Sequence, residues 1–353
     1  MTRVIGTLLT IISLSSMPPL LYAGTAFEQG LVSAPGTELA VPLPPVETRS
    51  GITASTDPIL EKLKLFDYRK SDMLYVTRNH AAAHHGYSVE PIELLIRDPL
   101  RQIGVFKQRY TYYKTYLPGP RPTVIISMHF TGDRSISDWA ARHFAKKGYN
   151  AAIINTRESL TDENRPLDKL SDLFIREAIT GRMCVDLLET FPEVDKEKLY
   201  AFGISMGGIR TALLFGVELR IKKAGEISGG GDIPGIITDT HFFPPERTRN
   251  ERMKAEGISS LEEFRAYMEK AMTVDPLDFG RLRNPEDFIM VISHDDQFVP
   301  DAYQEKLYNA FSKPKEGRYG RYPAVIHSTL GHLHTAMHYA RYIDRFIVFF
   351  EGE

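Results

Sequence analysis

The chain has 353 residues, of which 42% are hydrophobic and 25% charged, and a formal net charge of -2. This composition is typical of globular proteins and excludes collagen-like, coiled-coil and wholly disordered chains. The near-zero charge argues against nucleic acid as the main partner, because binding to phosphates requires an excess of lysine and arginine. The single cysteine, Cys184, excludes a disulfide framework and cysteine-based zinc sites, and its apolar helical surroundings predict a buried thiol.

Residues 1–26 have the pattern of a secretory signal peptide. Arg3 supplies a positive charge, residues 4–14 are largely apolar, and small residues follow at 23–26. This order of features predicts cleavage after Ala26 and a secreted or periplasmic mature protein without stable membrane insertion. The alternative is an uncleaved membrane anchor, since the stretch up to residue 23 is just long enough to span a bilayer. The prolines and serines inside that stretch favour the signal peptide.

Residues 27–87 are predicted to form an N-terminal extended leader. Up to about residue 60 this segment is rich in proline, glycine and small residues, and it lacks helical or strand periodicity. His80 and His84, near its end, have the i, i+4 spacing that could hold a metal ion on a helix. No neighbouring acidic residue or cysteine completes a ligand set, so we interpret both as surface histidines and predict no metal site.

Strands and helices alternate over the rest of the chain, residues 88–353. Strands are predicted at 93–97, 107–117, 122–129, 149–155, 198–203, 223–228, 288–293 and 324–328, and helices at 137–147, 170–191, 205–219, 301–311 and from 332 onward. The unbroken apolar run of the third strand is typical of a buried parallel strand. The alternation predicts a single α/β domain with a mostly parallel central sheet and helices on both of its faces.

A glycine-rich turn around Ser205 is the central motif. Gly203 and Gly207 flank this serine in a G-x-S-x-G pattern that follows an apolar strand and precedes a helix-forming run. That order is the nucleophile elbow, a tight turn that presents a serine hydroxyl at a helix N-terminus, where backbone N–H groups can stabilise an oxyanion. A phosphate-binding turn is the alternative, but the motif lacks the P-loop lysine and the G-x-G-x-x-G spacing.

A nucleophilic serine needs a general base and an acid that orients the base, here expected in the chain order serine, acid, histidine. Asp295 and Asp296 follow the strand predicted at 288–293, at the carboxyl edge where active sites of parallel sheets form. His332 and His334 follow the last predicted strand. Position and order therefore select these two pairs as candidates for the acid and the base.

With these motifs the chain resembles the α/β-hydrolase superfamily over roughly residues 90–350. Residues 194–199, before the strand that leads to Ser205, and residues 275–278, before the strand that leads to the acid, resemble its dienelactone-hydrolase and prolyl-oligopeptidase-like branches. The resemblance implies that Asp296, in the sequence Asp-Gln-Phe-Val-Pro, is the triad acid rather than Asp295. It also implies that His332, which follows a glycine, is the general base rather than His334.

The resemblance further implies an oxyanion loop. The family carries an H-G-x-x-G sequence after its third core strand, and residues 129–132 occupy that place here, with Phe130 in place of the usual glycine. The expected oxyanion donors are therefore the backbone N–H groups of Met206, Phe130 and Thr131.

A lid is expected where the family inserts one, over residues 229–274. Two charged helices, at 246–256 and 261–272, are predicted to form its body. A lid above the carboxyl edge of the sheet would control the access of substrate, whereas a purely structural excursion is the alternative. Asp232, at the start of the insertion, is a fallback triad acid, because some relatives place the acid there.

The sequence thus predicts a secreted serine hydrolase that cleaves small-molecule carboxylic esters through an acyl-enzyme on Ser205, without a cofactor or metal. A serine peptidase of the same fold is the first alternative. Peptide-cleaving relatives usually carry an extra N-terminal domain of repeated blades, and residues 27–87 contain no repeat, which favours an esterase. A binding protein that keeps the fold without the chemistry is the second alternative, and the complete triad argues against it.

Overall fold

The computed structural model describes residues 57–79, 81–129, 134–155, 165–242, 245–313 and 321–352. The predicted signal peptide, the leader up to residue 56, and the residues His80, Phe130 and Thr131 lie outside these ranges. Within them, ten strands form one sheet that carries α-helices on both faces. This arrangement confirms the predicted α/β class.

The strands follow the predicted order along the chain. Their bounds are β1 (Met73–Arg78), β2 (Ala82–His84), β3 (Tyr87–Arg97), β4 (Val105–Thr115), β5 (Arg121–Ser127), β6 (Asn150–Asn155), β7 (Val194–Ile204), β8 (Lys223–Ile227), β9 (Phe288–Ser293) and β10 (Ala324–Ser328).

The sheet is mostly parallel, as expected. Its strand order is β1-β3-β4-β6-β5-β7-β8-β9-β10, with β2 paired to β3. The strands from β6 to β10 in that order run parallel to their neighbours, whereas the pairs β1–β3, β2–β3, β3–β4 and β4–β6 are antiparallel. The carboxyl ends of the parallel strands therefore share one edge, where the loops that carry the candidate catalytic residues begin.

The described helices alternate with the strands. Their bounds are α1 (Pro58–Leu63), α2 (Ser135–Lys146), α3 (Leu170–Leu188), α4 (Met206–Val217), α5 (Ile233–Asp239), α6 (Pro245–Glu256), α7 (Leu261–Ala271), α8 (Pro276–Phe279), α9 (Asp301–Phe311), α10 (Gly331–Met337) and α11 (Tyr339–Glu351). The helix predicted from residue 332 onward is thus two helices, which meet at His338.

Two hydrophobic layers cover the faces of the sheet. Helices α3 and α4 contribute to one layer, and α2 and α11 contribute to the other. In the second layer Phe144 of α2 and Phe346 of α11 both contact Phe202 of β7, with ring centroids 5.5 and 5.7 Å apart. Cys184 of α3 is buried in the first layer, as predicted, and burial raises the pKa of its thiol.

The sheet begins before the boundary that the sequence predicted at residue 88. Strand β1 pairs with β3 along the outer edge of the sheet, and β2 forms a hairpin with β3. The predicted leader over 27–87 therefore needs correction, because its last part belongs to the sheet. The pairing register shifts between Met73 and Tyr75, so the buried residues of β1, Met73 and Val76, are not two positions apart. This irregularity hides the alternation by which a strand is recognised in sequence.

The segment between β8 and α8 contains three helices. Helices α6 and α7 lie where the two charged helices were predicted, whereas the short helix α5 was not expected. Their action as a lid stays a prediction. None of the described helices is long and apolar enough to cross a membrane.

Candidate active site

Ser205 lies in the turn between β7 and α4. Its backbone has a φ of 58° and a ψ of -125°, a strained conformation for a residue with a side chain. The turn is tight, because a Cβ atom at Gly203 would overlap the carbonyl oxygen of Gly207, and one at Gly207 would lie 2.5 Å from that of Ser127. Backbone contacts thus require both glycines of the motif, and the turn holds the serine at the N-terminus of α4.

His332 connects Ser205 to Asp296. Its Nε2 atom lies 2.9 Å from Oγ of Ser205, and its Nδ1 atom lies 2.6 Å from Oδ2 of Asp296. The three side chains come from the turn after β7, the loop after β9 and the first turn of α10, and each residue is at most 9% exposed. This is the geometry of a serine nucleophile, a general base and an acid that orients the base.

Backbone groups of its own loop hold Asp296. The N–H groups of Phe298 and Val299 donate to Oδ1 of Asp296 over 2.8 and 3.0 Å. The ring of Phe298 also stacks on the imidazole of His332, with centroids 4.3 Å apart. One short loop therefore orients the acid and restricts the rotation of the base.

Gln304, on α9, is a further contact of the acid that sequence reasoning missed. Its Nε2 lies 3.2 Å from Oδ2 of Asp296 and also approaches the carbonyl oxygens of Ser293 and Val299, at 3.1 and 2.7 Å. Its Oε1 accepts the N–H of Ser293 over 2.9 Å. The residue is fully buried. The sequence signal that could have identified Gln304 is its position in the first turns of the helix that follows the loop of Asp296.

The three rival residues lie elsewhere. Asp295 and His334 are exposed. Asp232 caps α5 by accepting the N–H of Gly235 over 3.0 Å, and it forms ion pairs with Arg265 and Lys306. None of the three takes part in the hydrogen-bonded chain from serine to acid.

Met206 is the described candidate for an oxyanion donor. It is the first residue of α4, so its N–H has no acceptor within the helix, and it follows Ser205 directly. The other two candidates, Phe130 and Thr131, lie outside the described residues.

Arg210 anchors the chain that leads into the predicted oxyanion loop. Its Nη1 donates to the carbonyl oxygens of Met128 and His129 over 2.7 and 3.2 Å. The guanidinium is buried and forms an ion pair with Glu177, N to O 2.7 Å. A single arginine inside the apolar run of α4 is the sequence signal for a buried contact of this kind, and it was missed.

A pocket of about 660 Å³, open to solvent, lies beside Ser205. Apolar side chains of α5 and of the loop after β9 form much of its wall, and α6 contributes two arginines. The side chains concerned are those of Ile236, Ile237, Phe298, Val299, Arg249 and Arg252.

A buried carboxyl group lies next to the nucleophile turn. Glu226 of β8 is fully buried and accepts the N–H of Gly229, while its Oε1 has no hydrogen-bond partner among the described residues. A Cβ atom at Gly208, in the first turn of α4, would lie 2.6 Å from its Oε2. Burial, with a smaller effect from the charge of Asp296, raises the pKa of Glu226 to about 8. The group is therefore protonated at neutral pH.

The described residues include no cluster of three or more histidine, cysteine, aspartate or glutamate side chains that could hold a metal ion. His84 lies in β2 rather than in a helix, and His80 lies outside the described residues.

Solved structures with the same architecture identify the fold. An acetyl xylan esterase from a Paenibacillus species matches with a TM-score of 0.61 and 16% identity, over 84% of this chain and 96% of that one. Acetyl xylan esterase 1 from a Thermoanaerobacterium species matches with a TM-score of 0.58 and 14% identity, over 78% and 88% of the two chains. A glucuronoyl esterase from Teredinibacter turnerae matches with a TM-score of 0.53 and 12% identity, over 83% of each chain.

These matches show that the chain has the α/β-hydrolase fold, as the sequence motifs indicated. At such low identities they show the fold alone. No protein-family model and no curated protein sequence matches the chain.

Proposed function

We propose that the protein is a serine hydrolase that cleaves carboxylic esters through an acyl-enzyme on Ser205. The observation that carries this proposal is the continuous hydrogen-bonded chain from Ser205 through His332 to Asp296, buried at the carboxyl edge of the sheet. The fold shared with three solved esterases is consistent with it. The proposed reaction uses no cofactor or metal.

The geometry supports the following sequence of steps. Ser205 Oγ attacks the acyl carbon while its proton passes to Nε2 of His332, and the carbonyl π electrons move to oxygen. In this proposal the N–H of Met206 stabilises that oxyanion, and Asp296 stabilises the imidazolium. The tetrahedral intermediate then breaks the bond to the alcohol, which leaves with the proton from Nε2. Water attacks the acyl-enzyme by the same route and releases the carboxylic acid.

The pocket favours esters over peptides. It is a small site lined by apolar side chains next to the nucleophile, which suits an acyl group of small or medium size. A peptide substrate would require binding along its backbone and protonation of a poor amine leaving group. We further propose that the helical segment from α5 to α7 controls access to this pocket, since α5 and α6 supply part of its wall.

The experiment is hydrolysis of p-nitrophenyl acetate and butyrate, beside aminoacyl-p-nitroanilides at equal concentration. We expect ester turnover that falls by about 10³-fold or more in Ser205→Ala and His332→Ala, because the two residues act as a unit. Asp296→Asn should also lose orders of magnitude. The neighbouring substitutions Asp295→Asn and His334→Ala serve as matched controls and should retain activity.

Two results would contradict the proposal. Ester turnover that survives Ser205→Ala would place the nucleophile elsewhere. Anilide turnover at or above the ester rate, dependent on Ser205, would identify a peptidase of the same fold.

A further inference from the structure

Three stacked rings form a column that ends on the general base. The ring of Phe298 stacks on the imidazole of His332, with centroids 4.3 Å apart and planes inclined by 10°. The ring of Phe242 stacks on Phe298 with centroids 3.4 Å apart and planes inclined by 23°. Two rings so close to the centre of Phe298 cannot share one of its faces. Phe298 is therefore the middle ring of this aromatic column, between Phe242 and His332.

Backbone hydrogen bonds hold the middle ring of the aromatic column. The N–H of Phe298 donates to Oδ1 of Asp296 over 2.8 Å. The N–H of His241, which precedes Phe242, donates to the carbonyl oxygen of Gln297 over 3.2 Å. The loop after β9 and the segment after α5 are thus joined to each other beside the column. The position of the middle ring is therefore set by both segments.

The stack restricts a motion of His332 that its hydrogen bonds leave open. Nδ1 of the imidazole is bonded to Asp296 over 2.6 Å, and Nε2 is bonded to Ser205 over 2.9 Å. These bonds fix two atoms of the ring, whereas a ring stacked on its face restricts the tilt of its plane. The lone pair of Nε2 lies in that plane, so the tilt determines whether it points at the serine proton.

The stack also acts on the charge that forms during the reaction. The face of a benzene ring is partly negative and attracts a cation that lies within about 6 Å of its centroid. In the mechanism proposed above, His332 is neutral when substrate binds and becomes an imidazolium as Ser205 attacks. The face of Phe298 therefore favours the transition state over the bound substrate, which is the condition for a higher kcat at an unchanged KM.

We propose that Phe298 is a positioning residue, whose ring face orients the imidazole of His332 and stabilises the imidazolium, and that Phe242 holds this ring in place. The proposal rests on the serine hydrolase function proposed above. The competing role for Phe298 is that of an apolar wall, because it also lines the pocket beside Ser205. A wall requires only volume and an apolar surface, whereas the proposed role requires a negative ring face.

Fluorinated phenylalanines at position 298 separate the two roles, because fluorine withdraws charge from the face of the ring and changes its shape little. In the full chain, Phe298 is replaced by 4-fluoro-, 3,5-difluoro- and pentafluorophenylalanine, and hydrolysis of p-nitrophenyl butyrate is measured. We expect kcat to fall with each addition of fluorine, by about 2- to 30-fold over the series, with little change in KM.

Ordinary substitutions provide a second comparison. Phe298→Tyr keeps an aromatic face and should retain most of kcat. Phe298→Leu keeps an apolar side chain without such a face and should lower kcat at least as much as the pentafluoro ring. Phe242→Leu should cause a smaller loss, because it only loosens the middle ring. The matched control is pentafluorophenylalanine in place of Phe349, a half-buried residue of α11, which should leave kcat unchanged.

Equal kcat along the fluorinated series, a change confined to KM, or equal kcat of Phe298→Leu and Phe298→Tyr would overturn the proposal and leave Phe298 as a wall of the pocket. Labelling of Ser205 by a fluorophosphonate distinguishes this failure from that of the proposed function, because labelling requires the base but no carboxylic ester. If no carboxylic ester is cleaved while the labelling rate falls along the series, the ester function is wrong and the role of Phe298 stands. Absence of labelling in the wild type would overturn both.

Discussion

At the scale of single residues, the carboxyl group of Glu226, which is buried next to the nucleophile turn, makes the stability of the fold depend on pH. Its carboxyl group has an ordinary pKa near 4.5, and burial raises the pKa to about 8 in the folded chain. Between these values the unfolded chain releases a proton that the folded chain retains. The stability that Glu226 contributes is therefore fully present below pH 4.5 and is lost as the pH rises toward 8.

We predict that Glu226→Gln flattens this dependence. The free energy of unfolding of the wild type should fall relative to that of the variant by on the order of 3 kcal/mol between pH 5 and pH 8, because the amide does not titrate. Urea denaturation at several pH values measures the difference. Glu197→Gln, at a side chain that is 83% exposed, is the control. Parallel pH profiles for the wild type and Glu226→Gln would show that the carboxyl group is ionised in the folded chain.

At the scale of secondary-structure elements, the carboxyl end of β9 and the start of α9 form one unit around the acid. Gln304 of α9 contacts both the last residue of β9, Ser293, and the loop residues Asp296 and Val299. The helix and the strand therefore determine together where the carboxylate of Asp296 lies. We interpret Gln304 as a positioning residue, which acts on catalysis through the acid.

We predict that Gln304→Met lowers kcat for p-nitrophenyl butyrate by about 10- to 100-fold with little change in KM, by analogy with the scale found for residues that orient metal ligands. It should also lower stability by about 1–3 kcal/mol, because the buried N–H of Ser293 loses its acceptor. The pH profile of kcat should shift, since a displaced Asp296 no longer orients His332.

The matched control is Gln297→Met, at an exposed position of the same loop, which should leave both quantities unchanged. A fall in melting temperature with an unaltered kcat and pH profile would mean that Gln304 serves the fold alone.

At the scale of the whole molecule, the expected export of the protein concerns residues outside those described. We propose that residues 1–26 are removed and that the mature chain is secreted or periplasmic, because a positive charge, an apolar run and small residues follow one another as in a signal peptide. N-terminal sequencing of exported protein should begin near Phe27. Intact Met1 in a membrane fraction would instead indicate an uncleaved anchor.

The sequence by itself determined the strands of the sheet from β3 to β10 and the residues of the triad motif. Strands such as β9 and β10 were predicted from apolar runs, and their bounds agree with the structure. Ser205, Asp296 and His332 were selected by motif and chain order, because each lies directly after a strand whose end is visible in the sequence. Such features depend on local periodicity and on turn chemistry, which a single sequence displays.

Only the tertiary structure decided what surrounds these residues. Strand β1, where the sheet starts, contains a bulge that breaks the alternation of buried side chains. For this reason no local pattern in the sequence revealed the strand. The burial of Glu226 and the placing of Arg249 at the pocket wall depend on elements far apart in the chain. Residue type alone predicts that a charged side chain is exposed, because charged residues usually are. Whether such a side chain is buried instead is decided by how the helices and strands pack against one another.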